Sequence, residues 1–271
     1  NITQKYSSDP GSFLPALGSG SYDGAFGDVH GGTKQTAGDF GDSIEHPFKM
    51  YEDITNANSQ GIKMSTSSTK PSGASVGGGY GAAISLLKNK DQYDFNLLFL
   101  PGIIDQKGSN HNSIVGDAIQ MCEDRGDCFL VYDNVGKTTS VADAKSNTEA
   151  RNSSYAAVYY PWVQIQDASL GTFRYVPPST VIAGVYHFND VVGQPWFAPA
   201  GLNRGGIDSA VQAYKKLSQS QRDTLYDNNV NPIATFPGQG VTVFGQKTTQ
   251  KKASALDRVN VRRLLINIKS F

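Results

Sequence analysis

Short apolar stretches alternate with longer amphipathic stretches from residue 76 to the end of the chain. The apolar stretches have the length of buried strands, and the amphipathic ones have the spacing of helices. In chain order the pattern predicts helix 82–87, strand 96–100, a helix through Ile114, Ala118, Ile119 and Cys122, strand 128–132, helix 141–151 and strand 155–160. Strands separated by helices are typical of right-handed βαβ units. We therefore predict an α/β fold, a sheet with parallel strands flanked by helices.

The stretch 160–206 predicts two more strands and a helix. Alternation at 162–165 and again at 173–176 indicates two strands joined by a turn across 167–171. Pro177 and Pro178 end the second strand, and Ser179 or Thr180 is expected to cap the helix that follows. The apolar face of that helix consists of Val181, Ile182, Val185 and Phe188, and Ala183-Gly184 should allow it to lie close to a neighbour.

Residues 194–204 cannot form regular structure. Pro195 and Pro199 each lack a backbone donor, and glycines bend the chain nearby. Trp196 and Phe197 place two large rings in this loop, and we expect both to be substantially buried.

The last third of the chain predicts a helical hairpin, a β-hairpin and a final helix. Ser218 and Gln221 form a capping box for a helix that reaches Asn228. The helix expected before it has an apolar face of Ile207, Ala210, Val211, Tyr214 and Leu217. Strands 233–236 and 241–244 pair as the hairpin.

The final helix determines the orientation of the basic cluster, which consists of Arg258, Arg262 and Arg263 beside Lys251 and Lys252. Its apolar positions are Val261, Leu264, Leu265 and Ile268, so Arg263 should point away from the core and Arg262 should flank it. Two interpretations stay open: a solvated helix face, or an intersubunit contact in which arginines bind carboxylates of a neighbouring chain.

Residues 1–75 are rich in Gly, Ser, Asp and Asn, with few apolar residues. We predict long loops with a few edge strands, belonging to a β-rich outer region, with a flexible linker as the alternative. The predicted organisation is therefore an outer loop and β-rich segment, residues 1–75, followed by an α/β domain, residues 76–271.

Composition narrows the function classes. Lys plus Arg and Asp plus Glu are 24 each, which argues against a protein that binds nucleic acid by neutralising phosphates. Cys122 and Cys128 are too few for a disulfide framework, so free thiols in a reducing cytoplasm are expected. The most apolar run, 97–104, is too short to span a bilayer, and no signal peptide precedes Asn1.

Three glycine motifs suggest enzymes, and each lacks its context. Gly136-Lys137-Thr138 follows a predicted strand, but a phosphate-binding loop places glycine where this chain has Val131. The nucleophile-elbow pattern at 73–77 and the dinucleotide pattern of Gly77, Gly79 and Ala82 lack a preceding apolar strand. We expect no catalytic residue, no cofactor and no nucleotide binding.

Metal sites are not expected either. The four histidines, His30, His46, His111 and His187, have no ligand spacing. Asp9, Asp23, Asp28, Asp39 and Asp42 lie among glycines but lack the acidic pattern of a calcium loop.

An ordered set of short motifs resembles the sheath domain of contractile phage tail sheath proteins. Its central pieces are PW with Trp162, VPPS with Pro177 and Pro178, AGVY at 183–186, Asp190, WFAPAG with Trp196 and Pro199, and NRG with Asn203 and Arg204. Further pieces are GGG at 77–79, FNLLFLPG at 95–102, NP at 231–232, FG at 244–245, KT at 247–248 and VNVRRL at 259–264. The resemblance covers residues 76–271. Residues 1–75 resemble, in their polar Gly-rich character, sheath proteins of giant phiKZ-like phages.

The resemblance implies a structural protein of the virion, assembled in the host cytoplasm, whose copies form a helical homo-oligomer around the tail tube. Such a sheath contracts when the baseplate triggers it and drives the tube through the host envelope, without nucleic acid or membrane as partners. Because the chain starts without methionine at Asn1, we expect a piece that lacks the N- and C-terminal arms and is monomeric by itself. The alternatives are an α/β hydrolase or nucleotide-binding enzyme, and a host-surface binding module.

Overall fold

The computed structural model describes residues 54, 56, 58–59, 62–63, 79–167 and 171–269. The chain divides into two compact units, the first formed by residues 1–93 and 107–117 and the second by residues 94–106 and 118–271. The boundary expected after residue 75, and nearly all of the Gly-rich segment that precedes it, lie outside the described residues. A division into domains at that point stays a prediction.

The first unit contains a short hairpin and helical segments. Strands β1 (Asn58–Ser59) and β2 (Ile62–Lys63) pair antiparallel. Helix α1 (Gly79–Leu87) follows, where the sequence predicts a helix. The first turns of α2 (Ser109–Arg125) also belong to this unit, and there the Asn110 backbone N–H donates to the Asn56 side-chain oxygen at 3.0 Å.

The described part of the second unit is built on a five-stranded sheet. Its strands, in the order in which they lie side by side, are β10 (Gly240–Val243), β9 (Asn231–Phe236), β5 (Ala156–Tyr160), β4 (Phe129–Asp133) and β3 (Leu97–Ile104). Strands β3, β4, β5 and β9 run parallel, and β10 returns antiparallel to β9. The predicted sheet with parallel strands and the predicted β-hairpin are confirmed.

Helices supply the layers around this sheet. Helix α4 (Pro178–Val192) packs across β3, β4 and β5, and α6 (Val259–Lys269) adds Val259 and Ile266 to the same apolar core. Helix α5 (Gln219–Asp227) packs against β9 and against α3 (Val141–Glu149). Strands β4 and β5 are buried at every residue, as expected for central strands of a parallel sheet.

A second sheet of three antiparallel strands lies beside the first. Strand β6 (Val163–Asp167) is central, with β7 (Thr172–Val176) on one side and β8 (Ala210–Ala213) on the other. The predicted strand pair is therefore confirmed. The predicted helix through Ile207 and Leu217 is wrong, because the backbone there pairs with β6 instead of with itself, so no helical hairpin forms.

The first turns of α5 and α4 show where the sequence predicted a helix cap correctly and where it did not. The capping box of α5 is present: the Ser218 hydroxyl accepts from the Gln221 N–H at 3.2 Å, and the Gln221 side chain accepts from the Ser218 N–H at 3.1 Å. Helix α4, by contrast, starts directly at Pro178 after Pro177, so neither Ser179 nor Thr180 caps it. A Cβ added at Gly184 would meet no atom within 4 Å, so the expected close packing there is also wrong.

The buried face of α6 differs from the predicted one. Val259, Arg262, Arg263 and Ile266 are buried, whereas Leu265 and Ile268 are 40% and 57% exposed. Residues three and four apart lie on one helix face, so the buried stripe is regular although it contains two arginines. The assumption that only apolar residues enter the core therefore predicts the wrong face of α6.

Two further expectations concern thiols and membranes. Cys122 in α2 and Cys128 just before β4 are buried and free, as predicted. In the described part of the chain, no helix combines the length and the apolar character needed to cross a bilayer.

Asn231 connects three segments of the second unit. Its side-chain N–H groups donate to the carbonyls of Val158 at 3.0 Å and Lys247 at 2.8 Å, and its oxygen accepts from the Lys247 N–H at 2.6 Å. Because Asn231 is fully buried, no water can replace these bonds if the side chain is removed.

We expect Asn231→Ala to lower the free energy of unfolding by about 2–3 kcal/mol, since it leaves buried backbone groups unsatisfied. Chemical denaturation measures this loss. Asn203→Ala, at an exposed position, is the matched control and should change stability by less than about 0.5 kcal/mol. Equal effects of the two substitutions would contradict the bridging role of Asn231.

Candidate functional site

The carboxyl ends of the parallel strands are where an α/β enzyme would hold its catalytic groups. Here β3 is followed by Asp105, and β4 ends in Asp133, which Asn134 follows. All three residues are buried. Their partners therefore decide whether this edge is an open site or part of the interior.

Asp105 is bound by an arginine from the segment after α3. The Arg151 guanidinium donates to both carboxylate oxygens, at 2.6 Å and 3.1 Å, and the Asn147 side chain donates to the same carboxylate at 3.3 Å. The side chain of Asn134 donates to the Ala144 carbonyl at 3.0 Å and to the Thr148 hydroxyl at 2.8 Å. These bonds attach α3 to the ends of β3 and β4, and they occupy the polar groups that a substrate would need.

Asp133 attaches α4 to the sheet in a similar way. Its carboxylate accepts from the Ser179 N–H at 3.0 Å and from the Ser179 hydroxyl at 2.6 Å, in the first turn of α4. Burial raises the pKa of Asp133 to about 7, whereas the donors of Ser179 and the backbone of Gly102 act in the opposite direction. The hydroxyl that the sequence suggested as a helix cap thus connects two elements instead.

The raised pKa of Asp133 leads to a pH-dependent prediction. A group whose pKa is higher in the folded than in the unfolded state adds stability that is complete below the unfolded value, near 4, and is lost as the pH rises through about 7. Asp133→Asn resembles the neutral acid and does not titrate. We therefore expect the stability of the wild type relative to this variant to fall between pH 5 and pH 8, by at most about 1.4 kcal/mol per pH unit.

Denaturant unfolding of both proteins across this pH range measures the difference, and all other titrating groups cancel in it. A difference that stays constant from pH 5 to pH 8 would show that Asp133 is ionised throughout.

The phosphate-loop candidate is occupied by the protein's own side chains. Val131 is buried in β4, and the loop after it is anchored where the Trp162 indole N–H donates to the Val135 carbonyl at 3.0 Å. The Lys137 ammonium lies 5.5 Å from the ring centre of Tyr175 and 5.8 Å from that of Tyr214. This geometry is a cation–π contact on the surface and does not form a cradle for a phosphate.

The other candidate motifs contribute no site within the described residues. Residues 73–77 of the elbow pattern and Gly77 of the dinucleotide pattern are not described, nor are His30, His46 and the N-terminal aspartates. His111 is buried in α2, and His187 lies on the exposed side of α4. Among the described residues, no three His, Cys, Asp or Glu side chains group as metal ligands would.

The basic cluster is largely internal, contrary to its predicted orientation. Arg263 is only 4% exposed and donates to both oxygens of the Asp190 carboxylate, one of them at 2.9 Å. Its guanidinium also lies 4.8 Å from the ring centre of Tyr186, whose hydroxyl is 2.7 Å from that of Tyr159. Arg263 therefore joins α6 to α4 and has no free guanidinium to offer a neighbour.

Arg262 is also directed inward, whereas Arg258 remains at the surface. The Arg262 guanidinium lies 4.0 Å from the ring centre of Tyr155 and donates to the Ser154 hydroxyl, and burial lowers its pKa. Arg258 keeps 39% of its side chain exposed and pairs with Asp257 at 3.1 Å. An intersubunit role for the cluster therefore stays a hypothesis for Arg258 alone, because Arg262 and Arg263 are buried and bound within the chain.

The irregular loop 194–204 is confirmed as irregular, but its rings are not buried. Trp196 and Phe197 are 43% and 39% exposed. The Phe197 ring is covered on one side by the Arg204 guanidinium, 4.9 Å from its centre, and on another by Gly193. The prediction of two buried rings is wrong. Phe197 is covered only by a cation and by the backbone of a short turn, and Trp196 lies at the surface.

Pro199, Asn203 and the following Gly205 hold this loop in different ways. Pro199 is buried, whereas Asn203 is exposed. A Cβ at Gly205 would lie 2.5 Å from the Val243 carbonyl oxygen, so glycine is needed where the loop crosses β10. The signature motifs thus include residues that shape the loop as well as residues left at the surface.

Sequence reasoning missed the pairs of Asp105 with Arg151 and Asp133 with Ser179. A usable signal was present, since Asp133 directly follows predicted strand 128–132 and Asp105 directly follows the apolar run 97–104. Polar residues at the carboxyl ends of parallel strands meet at one edge of the sheet. Their partners, however, come from helices whose packing the pattern does not specify.

We expect Arg263→Ala to lower the free energy of unfolding by about 3 kcal/mol, because it leaves Asp190 without its partner. Arg174→Ala is the matched control: Arg174 also pairs with an aspartate, Asp167, but its side chain is 55% exposed. An exposed pair should contribute less than about 1 kcal/mol. Similar losses for both variants in urea denaturation would contradict the interior role of Arg263.

Comparison with known proteins gives a consistent result. Residues 74–249 match a protein family that is described as "Phage tail sheath protein central domain". The chain is 46% identical over 91 residues to the tail sheath protein of Vibrio phage KVP40, and 35% identical over 136 residues to that of Enterobacteria phage T4. These matches cover 34% and 49% of this chain, but 14% and 20% of the two relatives.

A solved structure shows the same arrangement of elements. The sheath complex of the extracellular contractile injection system PVC, in its contracted state, is 26% identical with a TM-score of 0.54. The match covers 69% of this chain and 49% of that chain.

Proposed function

The chain belongs to the phage tail sheath protein family, and from this premise we propose that it forms the central region of a structural subunit of a contractile tail sheath. The match of the family's central domain over residues 74–249, more than half of the chain, carries the proposal. The relatives that bear the name tail sheath protein support it. The matches span only 14% and 20% of the length of these relatives, so the contraction of a whole sheath is proposed for this chain and not shown.

The proposed subunit acts mechanically and not as an enzyme. A sheath must change shape without its subunits unfolding, so each subunit has to be rigid while contacts between subunits are exchanged. The paired polar groups that attach α3 and α4 to the sheet, and α6 to α4, suit this requirement. Asp105, Asp133 and Lys137, which could have served chemistry, each have partners within the chain.

The partners follow from the same proposal. Copies of the protein surround a tail tube, and a baseplate triggers contraction, which drives the tube through the host envelope. The sheath belongs to the virion and is assembled in the host cytoplasm. Contacts between two copies are weak unless many of them act together, as in an array. We therefore propose that the 271-residue chain is monomeric by itself.

Electron microscopy of the intact protein expressed by itself tests the proposal. We expect hollow tubes, because subunits that associate head to tail with a rotation build a helical array. Calorimetry should detect no saturable ATP binding by the wild type or by Lys137→Ala. Discrete particles without tubes, or ATP binding that Lys137→Ala abolishes, would contradict a purely mechanical subunit.

A further inference from the structure

The outer side of the three-stranded sheet carries aromatic and amide side chains in place of the usual mixed charges. We call this surface the tyrosine face; it consists of Gln164, Phe173, Tyr175, Gln212 and Tyr214. Gln164 lies in register with Tyr175 on β7 and with Gln212 on β8, so the three share one side of the sheet. The opposite side, with Val163 and Ile165, packs on the core. Phe173 remains 56% exposed.

The side chains of the tyrosine face are already ordered by one another. The Gln212 amide donates to the Gln164 oxygen at 2.8 Å, and the rings of Tyr175 and Tyr214 meet edge to face at 5.1 Å. Binding to such a surface costs little side-chain entropy, because few rotamers remain to be lost. Aromatic groups held in this way are common anchors of protein interfaces.

Positive charge borders the tyrosine face. Lys137 lies over both tyrosine rings, and Lys215 and Lys216 follow Tyr214 directly. Lys137 and Lys216 are exposed. Asp167 on the central strand is neutralised by Arg174 at 3.0 Å. In a chain with no net charge, this border is a local basic surface that fits an acidic partner.

A surface of the opposite sign lies where α3 and α5 end. Glu149 and Asp227 line an open pocket of about 460 Å³ there, and Asp223 is exposed one turn earlier on α5. The carbonyl ends of both helices add negative potential. Two cations also line the pocket, Lys251 and Arg151, and Arg151 is paired with Asp105. Lys145 pairs with Glu149 at 3.7 Å, so Asp223 and Asp227 carry the negative charge of this surface. We call this surface the acidic pocket.

The two surfaces lie at opposite ends of α3. Its first turn follows the Lys137 loop, where the Tyr160 hydroxyl donates to the Thr139 carbonyl at 2.7 Å, and its last residue, Glu149, lines the acidic pocket. Nine residues of helix separate the ends by about 13 Å. The helix dipole has the same polarity, positive towards the tyrosine face and negative towards the acidic pocket.

We propose that the tyrosine face of one copy docks on the acidic pocket of the next copy, with Lys215 and Lys216 beside Asp223 and Asp227. This inference rests on the proposed sheath function and names a contact within it. Two different, complementary surfaces on one subunit give a head-to-tail contact, which extends into a helical array instead of closing a two-fold dimer. Exposed charges make each single contact weak and dependent on ionic strength.

A charge-swap experiment on the intact protein tests the contact. One variant carries Lys215→Glu and Lys216→Glu, and the other carries Asp223→Lys and Asp227→Lys. Each variant alone brings like charges together at every contact, so we expect at least a tenfold loss of tubes in electron micrographs. In a 1:1 mixture, copies of the two variants that alternate along the array pair opposite charges at every contact, and tubes should return to the wild-type amount.

Lys88→Glu with Lys107→Glu is the matched control, because it changes the net charge equally at exposed lysines of the first unit and should leave tubes unchanged. Melting temperatures near the wild-type value for all variants show that they fold.

If the lysine variant forms tubes as the control does, the proposal is wrong. If the mixture fails to restore tubes, the basic border binds an acidic partner other than another copy. If the wild type itself forms no tubes, the sheath function fails, and this contact fails with it.

Discussion

Buried charged and polar side chains need partners, and this constraint organises the second unit. The bidentate pairs of Arg151 with Asp105 and of Arg263 with Asp190 leave the two arginine side chains 17% and 5% exposed. An unpaired charge at either position would cost several kcal/mol. Each pair also joins a helix region to a different element, so satisfying the charge determines how the layers fit together.

The same constraint explains why the edge of the parallel sheet is closed. In an enzyme of this fold class, polar groups at the strand ends would face a ligand. Here Asp105 and Asp133 are bound by Arg151 and by Ser179. The bonds hold helices to the sheet and suit a subunit that moves as a body. Charges that remain exposed, such as Lys216 and Asp223, are then available for contacts between copies.

Local patterns predicted the elements well where the segment itself contains the decisive interaction. The capping box of Ser218 and Gln221 and the hairpin of β9 and β10 depend on neighbours in sequence, and both were found. Strand β8 was mistaken for a helix, because its partner β6 lies far away in the chain and the apolar spacing from Ile207 to Leu217 also fits a helix. Of the candidate site, the sequence located the arginine cluster but inverted its orientation.

The sequence by itself determined the alternation of strands and helices, the neutral charge and an ordered set of family motifs, because these depend on residue type and spacing. Tertiary structure decided which polar groups enter the interior. Arg262 and Arg263 are buried because Tyr155, Tyr186 and Asp190 surround them, whereas Trp196 is 43% exposed. Burial of a polar side chain depends on partners distant in the chain, and spacing within one helix carries no information about them.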